Sequence, residues 1–337
     1  MPAPALPARE HELLAAARRG DEDAYRRLVE PHRRALHAHC YRMLGSVHDA
    51  DDAVQDALLR AWRGLHGFEG RSTTRSWLYK VTTNACLTAL ERRPKRVLPL
   101  DAPPSGDDGG APLAETVWLE PYPDAAVDAS AAPHARYDQR EGIELAFIAA
   151  LQHLPPNQRA ALILREVLGF SAAEVADLLD TTVAAVNSAL QRARKAVEER
   201  LPERTQQATL ASLGDERLRE LVERYVDAWE RGDVGAVVSM LAEDATFSMP
   251  PNAAWYRGSE AIADFLPRGP LSMRRRFVPV GANGHVAFGT YCWEDGRFRA
   301  NAIHLLTLRA TGEIAEITAF LDREVFAAFG LPRYLPA

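Results

Sequence analysis

The sequence predicts a multidomain chain in which two all-α helical domains, the second carrying a helix-turn-helix, precede an α+β domain. Apolar residues recur at helical spacing through residues 10–92 and 139–201. A segment rich in proline, glycine and aspartate, residues 93–138, separates these two parts. Alternating strand-like patterns with glycines at the turns occur only within residues 214–337. With 337 residues, of which 47% are hydrophobic, the chain is long enough for two or three domains with apolar cores.

The first domain, residues 10–92, is predicted to be a series of amphipathic helices. Asp21 is a candidate N-cap, Gly45 follows the last periodic residue of one helix, and Pro94 cannot continue another. The longer predicted helices are His32–Leu44, Asp49–Trp62 and Trp77–Glu91.

The segment 93–138 has the composition of a flexible acidic linker. Within it, Trp118–Asp124 is less typical of a linker, because large aromatic side chains are rarely left in solvent without a reason. We therefore expect Trp118 and Tyr122 to dock on a neighbouring domain. Phe320–Phe326, which includes Asp322, is a second candidate docking segment.

The second domain, residues 139–201, contains the most informative stretch. Ser171 and Glu174 have the spacing of a capping box, and a turn at Asp180–Thr182 precedes a helix that Thr182 can cap. The predicted buried stripe of that helix is Val183, Val186, Leu190, Ala193 and Val197. Its opposite face carries amides and cations, which can contact base edges and phosphates. These residues are Asn187, Ser188, Gln191, Arg192, Arg194 and Lys195.

Charge and cysteine content limit the class of protein. The net charge of −6 argues against strong non-specific DNA binding by the isolated chain, although basic clusters exist locally. Cys40, Cys86 and Cys292 lack the spacing of metal ligands or redox motifs and are predicted to be buried free thiols. Neither a secretion signal nor a membrane-spanning run is seen, so a cytoplasmic location is expected. We expect no metal and no cofactor.

Two sequence blocks, in the right order, carry a resemblance to a known family. The first is the acidic run Asp49–Trp62 followed by Ser76–Asn84. The second is Leu154–Arg159, which leads into the helix-turn-helix. Residues 10–201 therefore resemble a group IV, extracytoplasmic-function (ECF) sigma factor of the sigma-70 family of bacterial RNA polymerase.

This resemblance implies two partners, core RNA polymerase, through its largest and second-largest subunits, and promoter DNA. Residues 10–92 match sigma region 2, which binds the polymerase and the −10 element, and residues 139–201 match region 4, which binds the −35 element. The implied polymerase contacts are Asp49, Asp52, Gln55 and Asp56. The implied DNA contacts in region 2 are Arg71, Arg75, Lys80 and Asn84, and those in region 4 are Thr182, Asn187, Ser188, Gln191, Arg192, Arg194 and Lys195.

Residues 214–337 resemble the SnoaL-like branch of the nuclear-transport-factor-2-like fold, a cone-shaped α+β domain. Tyr225–Asp233, Leu241–Phe247 and Tyr256–Gly258 carry the match. The resemblance implies a pocket that could take a small-molecule ligand. The candidate lining residues are Phe247, Met249, Trp255, Tyr256, Tyr291, Trp293 and His304.

The expected function is promoter-specific transcription initiation, with the C-terminal domain acting as a fused regulator through intramolecular contacts and without catalysis. Two alternatives remain open at this level. The first is a ligand-responsive helix-turn-helix regulator that does not bind core polymerase, for which the acidic face of Asp49–Asp56 would have no use. The second makes the C-terminal domain a small-molecule enzyme with His304 as a base, but no paired acid and base are set by the spacing.

Overall fold

The computed structural model describes residues 7–68, 70, 72–91, 96–99, 117–127 and 142–337. Within these ranges the chain forms two compact units. The first contains described residues of 1–95, 126–132 and 147–201, and the second contains those of 96–125, 133–146 and 202–337. The predicted DNA contact Arg71 lies outside the described residues.

The N-terminal part of the first unit is helical, as predicted. A small core cluster contains Leu14, Leu28, Leu65 and Phe68, and the ring of Trp77 stacks on that of Phe68 with centroids 4.6 Å apart. Asp21 caps the second helix and Gly45, in the left-handed conformation, ends the third, which confirms both predictions. The helices are α1 (Ala8–Arg18), α2 (Glu22–Val29), α3 (Arg33–Leu44), α4 (Val47–Gly64) and α5 (Thr74–Leu90).

The remainder of the first unit contains the helix-turn-helix. A buried guanidinium, that of Arg159, donates to the carbonyl of Met43 and to the side chain of Gln152, so the second helical segment packs directly on the first. Because a buried charge is costly without several hydrogen bonds, these contacts fix the packing. The helices are α6 (Leu145–Gln152), α7 (Pro156–Leu162), α8 (Ala172–Leu178) and α9 (Val183–Glu198).

The second unit is a seven-stranded sheet with helices packed on it, the predicted α+β class. Its helices are α10 (Gln206–Leu213), α11 (Asp215–Arg231), α12 (Val234–Val238) and α13 (Ser259–Phe265). Its strands are β3 (Leu241–Ser248), β4 (Trp255–Arg257), β5 (Arg275–Ala282), β6 (His285–Glu294), β7 (Arg297–Leu308), β8 (Ile314–Phe320) and β9 (Tyr334–Leu335). Two further strands, β1 (Arg96–Val97) and β2 (Val117–Trp118), form a separate parallel pair.

The sheet is mixed, because one of its strand pairs is parallel and the others are antiparallel. The strand order is β4-β3-β8-β7-β6-β5, with β9 beside β7, and β3 pairs with β8 in parallel. This pairing is long-range, since four strands intervene along the chain, and hairpin signals alone cannot predict it. A bulge at Asn301 of β7, opposite Thr290 and Tyr291 of β6, shifts the register of the two strands. Bulges of this kind bend a strand and increase its twist.

Two predictions concern the burial of particular side chains, and a third finding concerns membrane-spanning helices. Cys40, Cys86 and Cys292 are buried and unpaired by disulfides, as predicted. Val183 was predicted to be buried, but it is 44% exposed because it occupies the first position of α9, before the helix reaches its packing partner. Among the described residues, no helix has both the length and the apolar character needed to cross a membrane.

Candidate functional site

Helix α4 presents an acidic face to solvent. Ser46 caps its N-terminus by accepting a hydrogen bond from the Asp49 amide at 3.0 Å. Asp52 and Gln55 are exposed, and Asp56 is about half exposed and paired with Arg60 at 2.7 Å. Spacings of three and four residues place these groups on one stripe of the helix. The opposite side of α4 is an alanine-rich buried face that holds the stripe in position.

The structure changes this predicted set in two ways. Asp49 is only 9% exposed in the first turn of α4, so its carboxylate cannot belong to the exposed stripe. Leu59 is 49% exposed and lies three residues after Asp56 and seven after Asp52, on the same stripe. The exposed leucine adds apolar area to the acidic stripe. The sequence analysis missed Leu59, although its helical spacing from Asp52 was available as a signal.

Three of the predicted DNA contacts of region 2, Arg75, Lys80 and Asn84, lie on α5. Lys80 and Asn84 are four residues apart and share one side of the helix, whereas Arg75 lies on another side. Asn84 and Arg75 are exposed, and about a third of the Lys80 side chain is exposed. The structure therefore brings Lys80 and Asn84 together and leaves Arg75 apart from them.

Lys80 is held by the helix-turn-helix of the same unit. Its ammonium forms an ion pair with Asp180 at 2.5 Å and donates to the backbone carbonyl of Asp177 at 2.9 Å. Asp180 has a φ of 48°, a left-handed conformation that the turn between α8 and α9 requires. A predicted DNA contact of region 2 thus neutralises a carboxylate in the turn that precedes the recognition helix.

Arg75 is held in a similar way. Its guanidinium lies 4.3 Å from the centre of the Phe170 ring and donates to the carbonyl of Leu168 at 2.8 Å. The ring of Tyr79, one turn further along α5, meets Phe170 edge-on at 5.4 Å. Both cations of α5 within the described residues therefore contact the segment around the helix-turn-helix.

The helix-turn-helix has the predicted caps. Ser171 and Glu174 form both hydrogen bonds of a capping box. The Ser171 amide and hydroxyl both donate to the Glu174 carboxylate, and these two bonds lower the pKa of the Glu174 carboxyl. The Thr182 hydroxyl accepts from the Ala185 amide at 3.2 Å and caps α9. Short-range hydrogen bonds thus set where α8 and α9 begin.

Helix α9 presents a continuous polar stripe. Val186, Leu190, Ala193 and Val197 are buried, as predicted, and fix which side faces out. Arg194 lies to one side of the stripe and forms an ion pair with Glu166 at 2.6 Å, whereas neither Arg192 nor Lys195 has a carboxylate within 4 Å in the described part of the chain. The exposed stripe comprises Asn187, Ser188, Gln191, Arg192 and Lys195.

The candidate pocket of the C-terminal domain is filled by its own aromatic side chains. His304 is buried, with the rings of Trp229 and Phe277 centred 5.4 and 5.5 Å from its own and the Tyr225 hydroxyl 3.5 Å from Nδ1. Burial, with a smaller contribution from nearby Arg275, lowers the pKa of His304 to about 3. A general base works best when its pKa lies near the working pH, so this imidazole is a poor base.

The predicted lining residues do not share one surface. Phe247 and His304 belong to the packed interior, with Met249 and Tyr256 at its margin. Trp255 is fully buried. Tyr291 and Trp293 lie on the opposite face of the sheet, against Phe326 and Phe298 respectively, so their assignment to the same pocket is wrong. A groove of about 250 Å³ elsewhere in this domain is lined by Arg217, Arg224, Met240 and Glu313, among others, and includes none of the predicted residues.

Two stretches of the predicted linker lie on the sheet of the second unit. Tyr122 is buried, and its amide donates to the Asn283 side chain at 2.7 Å, while its carbonyl accepts from the Asn283 amide at 2.9 Å. Asp124 accepts from the Gly284 amide at 2.8 Å. Trp118 is half-buried in β2, and its carbonyl accepts from Arg96.

Asn283 also binds the chain shortly after the predicted linker. Its side-chain amide donates to the carbonyl of Ile143 at 2.6 Å, on the far side of residues 128–141. The neighbouring Glu144 carboxylate accepts from the amides of Gln206 and Gln207 at 3.0 and 2.8 Å. Asn283 and Gly284 form the two-residue turn between β5 and β6. Asp322 does not take part in these bonds, since it lies after β8 and accepts from the Glu324 amide.

Comparison with known proteins agrees with this architecture. Residues 28–96 match the family model of sigma-70 region 2, residues 144–197 match sigma-70 region 4, and residues 222–317 match a SnoaL-like domain. The crystal structure of the extracytoplasmic function sigma factor SigJ of Mycobacterium tuberculosis superposes with a TM-score of 0.54 at 27% identity, covering 90% of this chain and 98% of that one. The fold is therefore that of a sigma-70-type transcription factor with a SnoaL-like C-terminal domain.

Sequence relatives identify the family. The ECF RNA polymerase sigma factor SigG of Mycobacterium tuberculosis (strain ATCC 25618 / H37Rv) is 42% identical over 326 residues, 94% of this chain and 86% of that protein. SigW of Bacillus subtilis (strain 168) is 27% identical over 192 residues, 56% of this chain and 94% of that protein. This chain belongs to the ECF RNA polymerase sigma factor family. The comparisons favour a sigma factor over the alternative of a regulator that does not bind polymerase.

Proposed function

We propose that this sigma factor binds core RNA polymerase through the exposed stripe of α4, contacts the −10 element through α5 and contacts the −35 element through α9. The stripe is Asp52, Gln55, Asp56 and Leu59, an apolar side chain among acidic and amide groups. This combination supports docking on a basic helical surface, where carboxylates provide orientation and leucine provides buried area. Transcription initiation in the cytoplasm is the corresponding activity.

The C-terminal domain, in this proposal, regulates the sigma factor by holding the linker. The supporting observation is that the Asn283 side chain bonds to Tyr122 within the linker and to Ile143 shortly after it. A free linker lets the two promoter-binding domains move independently, whereas a linker fixed at two points restricts their separation. The low pKa of His304 and its aromatic packing support regulation by contact rather than by catalysis.

The Asn283 side chain provides the test. Changing Asn283 to glycine removes the two side-chain bonds, to Tyr122 and to Ile143, and keeps the backbone bond to the Tyr122 carbonyl, while the φ of 50° at this position remains easy to adopt. We expect amide exchange at residues 119–124 to become at least about tenfold faster, because each lost buried bond costs about 1–3 kcal/mol. We also expect promoter-dependent transcription to change in the same direction as it does on deletion of residues 203–337.

Asp295→Gly is the matched control, since Asp295 has a φ of 49° in the two-residue turn between β6 and β7, away from the linker. It should leave amide exchange at residues 119–124 unchanged. Unchanged transcription in Asn283→Gly, despite faster exchange, would contradict regulation through the linker. Unchanged transcription after deletion of residues 203–337 would contradict any regulatory role for the domain.

Promoter binding also requires the first unit to open. The −10 and −35 positions are about 25 base pairs apart, roughly 85 Å of B-form DNA. In the structure, Lys80 of the −10-binding helix lies 2.5 Å from Asp180 in the helix-turn-helix. A single arrangement of the two promoter-binding helices cannot keep Lys80 beside Asp180 and also span the distance between the −10 and −35 elements. We therefore infer that the Lys80–Asp180 and Arg75–Phe170 contacts break when promoter DNA is bound.

Asp180→Asn tests this opening. Asparagine tolerates the left-handed backbone of Asp180 but removes the charge that competes with DNA phosphate for Lys80. We expect the holoenzyme to bind promoter DNA up to about fivefold more tightly, the limit set by an exposed ion pair of about 1 kcal/mol. Asp177→Asn is the control, because only the backbone carbonyl of Asp177 contacts Lys80. Equal affinities for wild type and Asp180→Asn would contradict the competition.

A further inference from the structure

One end of the C-terminal sheet is rich in arginine and aromatic side chains. It contains the start of β5, the tip of the β6–β7 hairpin and strand β9. In the hairpin Trp293 pairs with Phe298, Glu294 pairs with Arg297, and Arg299 pairs with Tyr334 of β9. Asp295 and Gly296 close the hairpin with φ values of 49° and 81°. We call this surface the arginine end, and its cations are Arg274, Arg276, Arg297, Arg299 and Arg323.

Aromatic rings hold the guanidinium groups of the arginine end. The Arg274 guanidinium lies 4.9 Å from the centre of the Trp293 ring, and that of Arg297 lies 3.8 Å from the Tyr334 ring. Arg276 lies 5.3 Å from the Phe298 ring. A guanidinium stacked on a ring is ordered before any ligand arrives, and its N–H donors at the rim remain available.

Carboxylates at this end are fewer than the arginines they face. Glu294 is shared by Arg299 at 3.2 Å and Arg323 at 3.4 Å, and Glu230 pairs with Arg276. Arg274 and Arg297 have no carboxylate within 4 Å among the residues that the structure describes. The two cations best ordered by aromatic rings are therefore those without an anionic partner.

Exposed apolar side chains accompany these cations. Met273, next to Arg274, is 44% exposed, and Tyr334, beneath Arg297, is 39% exposed. Protein–DNA interfaces are more positively charged than protein–protein interfaces, and arginine is the commonest cation at phosphate contacts. This end is therefore a binding surface rather than an ordinary solvated edge.

We infer that the arginine end binds the phosphate backbone of the promoter DNA held by the same sigma factor. Planar guanidinium groups with free rim donors fit phosphate oxygens in a bidentate manner. Two arginines without a carboxylate partner are best matched by a ligand that carries several negative charges. Because the first unit brings the chain to DNA, tethering raises the local DNA concentration and weak contacts suffice. This inference rests on the proposed function.

The test uses the full chain assembled with core RNA polymerase on a duplex promoter fragment. Binding affinity is measured across 50–200 mM KCl for wild type and for Arg274→Gln combined with Arg297→Gln. We expect the slope of log affinity against log salt to decrease by about 2 units, since each phosphate contact contributes about 0.9. The charge-preserving pair Arg274→Lys and Arg297→Lys should retain most of the slope.

Arg219→Gln combined with Arg224→Gln is the control, because both arginines are exposed on α11 of the same domain. This control should keep the wild-type slope. An unchanged slope in the Arg274 and Arg297 glutamine variant, with normal promoter binding by wild type, would overturn the inference and leave the proposed function intact. Loss of core binding in that variant would also overturn it, by assigning the surface to a protein partner. Failure of the wild-type holoenzyme to bind any promoter would overturn the proposed function itself.

Discussion

Changing Asp52 and Asp56 together to asparagine is expected to weaken binding to core RNA polymerase by at least about thirtyfold. Truncating one partner of a close interfacial charge pair costs about 2–5 kcal/mol, and both carboxylates lie on the same exposed stripe of α4. Asparagine preserves side-chain size, and neither carboxylate contributes to the buried face of the helix. The dissociation constant can be measured by interferometry with immobilised core enzyme.

Asp51→Asn is the matched control for this experiment. Asp51 is in the same helix, and its change to asparagine removes the same charge. The Asp51 carboxylate, however, lies 3.2 Å from Nε2 of His37 and does not belong to the stripe. It should bind core with wild-type affinity. If the Asp51 and the Asp52–Asp56 variants lose affinity equally, general acidity of α4 rather than a defined stripe would explain binding. Leu59→Ser is expected to resemble the double variant, because the exposed leucine would be the apolar anchor.

Changing Asn187 and Gln191 together to alanine is expected to relax −35 recognition by about tenfold or more. Asn187 and Gln191 are exposed one turn apart on α9, and a good amide-to-base pair is worth about 1–3 kcal/mol of discrimination. The measurement is selection of promoters from a library randomised at the −35 element, using holoenzyme with wild-type or variant chain. The preference for particular bases should decline at specific positions of the −35 element, whereas binding of the variant to core RNA polymerase should remain unchanged.

The amide of Asn157 provides a control, because it is exposed at the start of α7 in the same domain. Asn157→Ala should select the same promoters as wild type. Variants of Arg192 or Lys195 should instead weaken binding to all sequences and reduce its salt dependence, if these cations contact phosphates. A double amide variant that selects the wild-type sequences unchanged would contradict base reading by this face of α9.

Local signals in the sequence were sufficient for much of the helical architecture. The Ser171–Glu174 capping box and the Thr182 cap depend on residues at most three positions apart, so the spacing alone predicts them. The buried stripe of α9 follows from helical periodicity. Val183 was the exception, because periodicity cannot show where along a helix its packing partner begins.

Contacts between distant residues could not be predicted in this way. The Lys80–Asp180 ion pair joins residues 100 positions apart, and Asn283 bonds to Ile143 across 140 positions. The aromatic residues of the C-terminal domain were assigned to one pocket. The side chains of each strand alternate between the two faces of the sheet, so aromatic residues on different strands need not share a face. Tyr291 and Phe247 consequently belong to different clusters. The face of a side chain also depends on bulges: the extra residue Asn301 in β7 places Phe298 and Ile303 on the same face, although simple alternation would separate them.

The most direct test of the central claim is whether the full chain binds core RNA polymerase and gives it promoter specificity. Wild-type chain is titrated against core enzyme, and the resulting complex is used for footprinting on promoters obtained by selection. The account predicts saturable binding of one chain per core enzyme and protection of DNA at both the −10 and −35 elements. A wild-type chain that ignores core enzyme but binds DNA alone would contradict it and identify a free-standing helix-turn-helix regulator.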